Sequence, residues 1–442
     1  MARSTSRAHS ALGALVLLCA APALTRADTP AKPATPAEPP RVYGELRTYI
    51  RGWQDTSPED RATQRFRLPF LQTVYVGSNR VGVKGLSIEA LGYGEIESVE
   101  PLVGNRGRGD LLMATIAWRG LPNDMLMLKA GRQIVHVGAA NNAIIDGFSG
   151  RLELPLSFTL EAWGGFTAEP GFDWGTDRWQ AGARAAWSPF DVGHLGVSFA
   201  QERMFGEPSR ELVGIDFAWR QFKWLDTTGY FLIDDLSRRL QEAELYIEGH
   251  PTREWQLQAE YRHVDVAARI PKTSIFSVFS NATYDQAGGW IGFFPLNGML
   301  SLFGGASVLV YDADDIGYRA RLRARLLLDR RLGNLIGIEL GRVGTGTSGY
   351  WQTRAYGMWS PTSKLHLTGD VDFGVYDDSA RTNGHRWSNV SRLTAAVDLF
   401  AGGRLMADVS VLVSPTFSQQ WAGMLRFTYD LSGRLPEPLM VP

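Results

Sequence analysis

Arginine and apolar residues take turns from position 319 to 326: Arg319, Arg321, Arg323 and Arg325 alternate with Ala320, Leu322, Ala324 and Leu326. Wound on a helix, the four arginines would spread around much of the circumference. Extended as a strand, they fall on one face and the apolar residues on the other. One face seeks water and the other hydrocarbon. A soluble sandwich would satisfy that geometry too, with the arginines on its solvated side, so this stretch alone leaves the class open. The same alternation recurs down the chain, however, with aromatic residues at the segment ends. That recurrence predicts an outer-membrane barrel, lipid outside and water inside.

Leu126, Leu128 and Ala130 oppose Lys129, and Trp179, Ala181, Ala183, Ala185 and Trp187 oppose Arg178, Gln180 and Arg184. Trp255, Leu257, Ala259 and Tyr261 oppose Glu254, Gln256, Gln258, Glu260 and Arg262, and Trp421, Gly423, Leu425, Phe427 and Tyr429 oppose Gln420, Arg426 and Asp430. Over residues 42–431 the chain reads as strands of about ten residues with no sustained helical period and no repeat at propeller-blade length. Short turn signals fall at Gly77-Ser78-Asn79, Leu121-Pro122-Asn123-Asp124, Leu154-Pro155, Ser188-Pro189, Arg220-Gln221, His250-Pro251, Asn297-Gly298, Arg331-Leu332-Gly333, Ser360-Pro361 and Gly402-Gly403. Longer polar segments, at 54–63, 104–109, 267–283 and 377–386, lie between them. With both chain ends on one side, these turns predict an all-β, transmembrane antiparallel up-and-down barrel. Its strand number is even, about 22 within a range of roughly 18 to 22. Side chains fill only barrels of about eight strands, so the interior of this one is open or narrowed by loops.

Residues 287–311 carry no charge and are long enough to cross a bilayer as a helix. Gly288, Gly289, Gly292, Gly298, Gly304 and Gly305 spoil that reading, and Pro295-Leu296-Asn297-Gly298 reads as a hairpin turn. Two strands are expected here.

Arg3 and Arg7, the apolar run 11–23 and Thr25-Arg26-Ala27 lay out a secretory signal over residues 1–27, cleaved after Ala27, with Ala23 the alternative. Cys19, the only cysteine, falls inside it, so the mature chain has no disulfide. Leu18 stands where lipid attachment to Cys19 would want a small residue. Residues 28–41 hold Pro30, Pro33, Pro36, Pro39 and Pro40 and form an extended periplasmic leader. That leader is far short of the roughly hundred residues of a plug domain. The barrel then occupies 42–431 and a C-terminal tail 432–442. The expected location is the outer membrane of a Gram-negative bacterium. Aromatics at 11%, 14 tryptophans and 48 glycines suit strands with interfacial girdles. A net charge of −1 offers nothing to a nucleic acid.

The polar positions of these strands are the expected lumen. Besides the ladder they carry Lys129, Arg151, Arg184, Arg262, Arg354 and Arg392, together with acids such as Glu161, Asp216, Glu339 and Asp370. Cross-strand pairing would neutralise many of them. The ladder differs, because its expected neighbours offer Ser301 and Ser307 on one side and only Glu339 on the other. Unpaired arginines along a pore make a rail for carboxylate- or sulfate-bearing solutes, since focused fields raise the local anion concentration. Glu242, Glu244, Glu248, Glu254 and Glu260 gather instead on one hairpin. Separate basic and acidic walls would set a transverse field, unless folding brings the two walls into contact.

His263-Val264-Asp265 puts a histidine and an aspartate on one strand face, but no Gly-x-Ser-x-Gly elbow or nucleophile with an evident base accompanies them. His136, His194, His250, His366 and His385 are scattered without a metal spacing. Asp312, Asp314 and Asp315 read as a solvated turn rather than a calcium loop. No enzyme activity, metal or cofactor is expected.

Gly131-Arg132-Gln133 follows the strand residues 125–130 and precedes Asp146-Gly147. In this the chain resembles the alginate-export family of outer-membrane barrels and related polysaccharide-export porins, over a short motif and the general architecture. The resemblance implies a basic pore through which an anionic polysaccharide leaves the periplasm. Periplasmic export components are then candidate partners beside the outer-membrane lipid. Those barrels have fewer strands and longer loops than this sequence predicts. The expected function is a channel for a polar, anionic polysaccharide or oligosaccharide. The alternatives are a general diffusion porin for small solutes and an outer-membrane barrel enzyme.

Overall fold

The computed structural model describes residues 42–55, 65–79, 81–82, 84–97, 107–120, 124–138, 143–168, 176–189, 192–265, 283–311, 315–329, 331, 333–345, 348–377, 386–414 and 417–432. The signal, the leader and nearly all of the tail lie outside them, as do Asp312, Asp314, His385 and most of the longer polar segments.

The described strands are β1 (Val42–Asp55), β2 (Arg65–Arg67), β3 (Pro69–Ser78), β4 (Leu86–Glu97), β5 (Gly107–Gly120), β6 (Leu126–Val135), β7 (Ala143–Leu154) and β8 (Phe158–Thr167). They continue as β9 (Arg178–Trp187), β10 (Gly193–Met204), β11 (Glu207–Phe222), β12 (Leu225–Asp234), β13 (Arg239–Gly249), β14 (Trp255–Asp265), β15 (Thr283–Phe293) and β16 (Leu300–Tyr311). The last are β17 (Ile316–Asp329), β18 (Asn334–Gly344), β19 (Gly349–Trp359), β20 (Leu365–Tyr376), β21 (Trp387–Phe400), β22 (Gly403–Ser414) and β23 (Phe417–Asp430). β2 and β3 both pair with β1 and form one strand of the wall, broken at Leu68. β23 returns to β1 from Asp430↔Glu45 to Ala422↔Trp53. The sheet is thus a closed antiparallel up-and-down barrel of 22 strands, as the turn spacing predicts.

The two faces of this wall differ as the alternation requires. Leu322 is 63% exposed and Leu393 64%, while Ser307 at 2%, Glu242 at 1% and Thr428 at 4% crowd together on the polar face. In a closed sheet the concave side compresses its side chains, so the polar face is the interior and the apolar face is the outer belt. Aromatic girdles bound that belt. On β19, Trp351 and Trp359 point outward eight residues apart, both more than half exposed. Their spacing is about 27 Å along the strand and about 20 Å along an axis tilted by ~40°, close to the height of a bilayer's apolar band. Phe158 against Trp187 and Trp255 against Phe293, with centroids 6.1 and 4.6 Å apart, line the rim of short turns; Phe373 and Trp387, 6.1 Å apart, line the other.

The uncharged stretch forms β15 and β16, joined through Leu296–Gly298 with Asn297 at φ +55° and Gly298 at +81°. Two turn expectations need correction. Arg220-Gln221 is not a turn: β11 runs on to Phe222, and the register slips between Trp219 and Phe222, so these two residues form a bulge. Arg220 Nε holds it to Asp226 at 3.0 Å. Nor is the opposite rim uniformly long-looped. Phe205 and Gly206, at φ +53° and +85°, close β10 onto β11 in two residues, the type I′ geometry.

Candidate functional site: the charged interior wall

β17 pairs with β16 so that Ser307, Gly305, Phe303 and Ser301 face Arg319, Arg321, Arg323 and Arg325 in turn. On its other side β18 presents Val343, Gly341, Glu339 and Gly337 to the same four. The polar neighbours are therefore the two serines and one glutamate that the alternation predicts. Arg321 Nε reaches Glu339 at 2.9 Å. The Arg323 guanidinium lies 5.4 Å over the Phe303 ring, and Arg325 donates to Ser301 Oγ at 3.4 Å. Among the described residues Arg319 has no side-chain partner, and a single carboxylate serves the ladder.

The other basic candidates sit differently. Arg184 is held by Asp216 Oδ1 at 3.0 Å and Glu161 at 3.1 Å, and Arg151 by Glu153 at 3.1 Å and Glu161 at 3.7 Å. Arg262 meets Glu242 at 3.0 Å and Glu244 at 3.9 Å, Arg354 meets Asp370 at 2.9 Å, and Arg392 meets Asp408 at 3.5 Å. These five join the wall's strands by charge-assisted bonds and add little free positive charge to the lumen. Lys129, among the described residues, has no ion pair.

The acids gather on β13 and β14. Glu242, Glu244, Glu248 and Glu260 share the interior face with Tyr230 and Tyr246. Tyr246 donates to Glu248 at 2.7 Å, and Gln286 to Glu260 at 2.7 Å. Glu254 precedes β14 and stands off this wall. Between the acids and the ladder run β15 and β16, whose interior residues are Tyr284, Gln286, Gly288, Trp290, Gly292, Ser301, Phe303, Gly305, Ser307, Leu309 and Tyr311. None is charged, so the acidic and basic walls stay about 14 Å apart, three strand spacings along the sheet. They do not meet.

Two arrangements escaped the sequence reading. Gly131 holds φ +110°, where an added Cβ would run into the Ala114 carbonyl. The next residue, Arg132, is only 6% exposed and donates to both Asp146 oxygens at 2.8 Å, to the Leu111 carbonyl at 2.8 Å and to Asp110 at 3.4 Å. Gln133 donates to the Gly147 carbonyl at 3.3 Å and accepts from Ser149 at 2.6 Å. The Gly-Arg-Gln motif is therefore a brace within the wall, not a pore lining. Beyond it, the chain turns inward. Val137 packs on Val135, Ile145 and Trp163, and Gly138 lies against the side chains of Ser198 and Arg184 on β10 and β9. This segment crosses the interior faces of β7 and β8 and narrows the lumen there. Apolar residues at the interior positions Val135 and Ile145 were its trace in the sequence.

Folding also gathers Ser360, His366 and Asp398. Ser360 Oγ lies 2.9 Å from His366 Nδ1, and His366 Nε2 lies 3.5 Å from Asp398. Ser360 is 1% exposed, and Arg404 holds Asp398 with bonds of 2.5 and 3.1 Å. No substrate carbonyl can reach a hydroxyl so enclosed, so the trio ties the rim together. Of His263-Val264-Asp265, the histidine meets Asp285 at 2.9 Å and the aspartate meets Arg239 at 2.8 Å, each across the sheet. Cross-strand neighbours in a sheet lie closer than residues two apart on one strand. Among the described residues no group of acids and histidines is arranged to hold a metal.

No family model and no curated protein matches the chain. Among solved structures it is similar to the Escherichia coli P pilus tip assembly intermediate PapC-PapD-PapK-PapG, with 10% identity over 93% of this chain and 64% of that one and a TM-score of 0.51. The translocation pore of the P pilus usher PapC matches with 8% identity over 87% of this chain and 99% of that one, at a TM-score of 0.47. OccK8 (OprE) of Pseudomonas aeruginosa matches with 12% identity over 88% and 98%, at 0.43. At such identities the likeness is one of fold.

Proposed function

We propose that this protein is a channel of the bacterial outer membrane, passing a polar, anionic polysaccharide or oligosaccharide along its arginine-lined wall. The observation that carries the reading is the ladder itself: four arginines on one interior strand face served by one carboxylate, Glu339. A row of like charges facing water is costly unless something anionic makes use of it, and a carboxylate-bearing chain would pass from one guanidinium fork to the next. The apolar belt and its two aromatic girdles support a place in the lipid, with the rim of short turns toward the periplasm. The likeness of Gly131-Arg132-Gln133 to polysaccharide-export barrels is a second, smaller support, because in this chain the motif braces the wall.

The test replaces Arg319, Arg321, Arg323 and Arg325 together with glutamine. The variant folds, since hydrogen-bonding side chains remain at positions facing water. In planar bilayers at low ionic strength its reversal potential in a salt gradient moves toward cation preference, and block by a polyuronate weakens. An unchanged reversal potential and unchanged block would replace this reading with that of a general diffusion porin. The pairing of Arg151, Arg184, Arg262, Arg354 and Arg392 is the observation that favours that second reading.

A further inference from the structure

Trp290 and Phe303 face the lumen from adjacent strands, ring planes 14° from parallel and centroids 5.8 Å apart. Each ring lies over a glycine on the strand beside it. Trp290 lies over Gly305, and Gly292 lies under two rings, where an added Cβ would fall 3.0 Å from Phe294 and 3.1 Å from Phe303. Rings laid on glycine backbone are held flat to the wall, and both stay partly exposed there. On one side of this pair stands the ladder, with the Arg323 guanidinium over Phe303. On the other stands the acid wall, where Gln258 is paired with Trp290 and Gln286 is bound to Glu260.

We infer that Trp290 and Phe303 form a sugar-stacking subsite for a hexuronate ring, the carboxylate turned to Arg323 and the hydroxyls to Gln258 and Glu260. The inference rests on the reading of this wall as an anion path and names the solute class more closely. A pyranose has one face of C–H bonds, which packs on an aromatic plane, and a periphery of hydroxyls, which a carboxylate and amides satisfy. A flexible acidic chain without rings would use the arginines and ignore the plane. A neutral sugar would use the plane and ignore the arginines. Only a ring that bears a carboxylate uses all three parts of a panel that spans four consecutive strands.

The test is block of the full-length channel in planar bilayers by an oligogalacturonate and by polyglutamate of similar charge. Trp290→Leu keeps bulk over Gly305 but removes the flat face, and Trp290→Phe restores a smaller one. The oligogalacturonate residence time falls roughly three- to tenfold in Trp290→Leu, recovers in part in Trp290→Phe, and falls likewise in Phe303→Leu. Polyglutamate block is unchanged in all three. An oligogalacturonate residence time indifferent to Trp290→Leu and Phe303→Leu overturns the subsite, and so does an equal loss of polyglutamate block. Failure of the anion path itself reads differently: polyglutamate block would then be indifferent to the four arginine-to-glutamine changes.

Discussion

Arg321 and Glu339 are joined on a diagonal: the register sets Glu339 opposite Arg323, yet its carboxylate takes the Nε–H of Arg321 at 2.9 Å. Arg323 is thereby left to the Phe303 ring, and the ladder's charge is reduced at its second rung rather than its third.

Removing that one carboxylate raises the positive charge of the ladder. Glu339→Gln keeps an acceptor for Arg321 while deleting a negative charge, so anion preference in a low-salt gradient increases. A shift toward cation preference would contradict the placement of Glu339 in the pathway.

Charge on the belt and charge in the lumen carry different penalties. Leu322→Arg puts a guanidinium on the lipid face of β17 at a cost of about 2 to 4 kcal/mol near mid-membrane. Gln286→Arg puts one beside Glu260, where it finds a partner. The fraction of protein that resists unfolding in detergent without heating drops for the first and holds for the second. Equal losses would mean that inside and outside are exchanged.

The Gly131-Arg132 brace predicts a stability effect without a transport effect. Arg132→Ala leaves Asp110 and Asp146 buried or half-buried without their cation, a loss on the order of 3 to 5 kcal/mol. Thermal unfolding moves to lower temperature, while ion selectivity of the protein that folds stays as in the parent. Gly131→Ala acts in the same direction through its positive φ.

At the rim, the Arg342 guanidinium donates to Asp377 at 2.8 Å and holds that carboxyl below its ordinary value. A depressed acid stabilises the fold above its unfolded pKa and loses that contribution as pH falls through the folded one. The pair is therefore intact at neutral pH and fails only below the ordinary carboxylate range. Protection from hydrogen exchange at the end of β20, measured against the free-chain rate at the same pH, falls in that acidic window for the parent, whereas Asp377→Asn already lacks it at neutral pH.

The barrel was legible because a two-residue period survives any local ambiguity: Arg319 to Arg325, Trp179 to Trp187 and Trp421 to Tyr429 each declare two faces without knowledge of their partners. Turn chemistry gave the strand number, and it misled at Arg220-Gln221, where a polar pair on a strand end makes a bulge instead. The ladder's neighbours were legible for the same reason, since adjacent hairpin strands fix one another's register. What remained hidden depends on contacts across the sheet. The pairing of Arg184 with Asp216, the burial of Arg132 by Asp110, and the inward course of Val137 and Gly138 toward Ser198 join residues tens of positions apart. No spacing along the chain encodes them. The aromatic pair was visible only as two residues in an uncharged stretch, because its meaning lies in the glycines beneath it.

The seam between β1 and β23 sets how this molecule comes into being. Its contacts join residues such as Glu45 and Asp430, nearly the full length of the chain apart, so loop closure across the whole polypeptide precedes their reward. Every other strand can find its neighbour as soon as both exist. Until the final strand arrives, the sheet has two open edges, each a template for a strand of another molecule. Ring closure is therefore the slow and error-prone event of assembly, and a lesion in β1 or β23 yields an open ribbon, whereas one in a central strand yields a smaller defect in a closed ring.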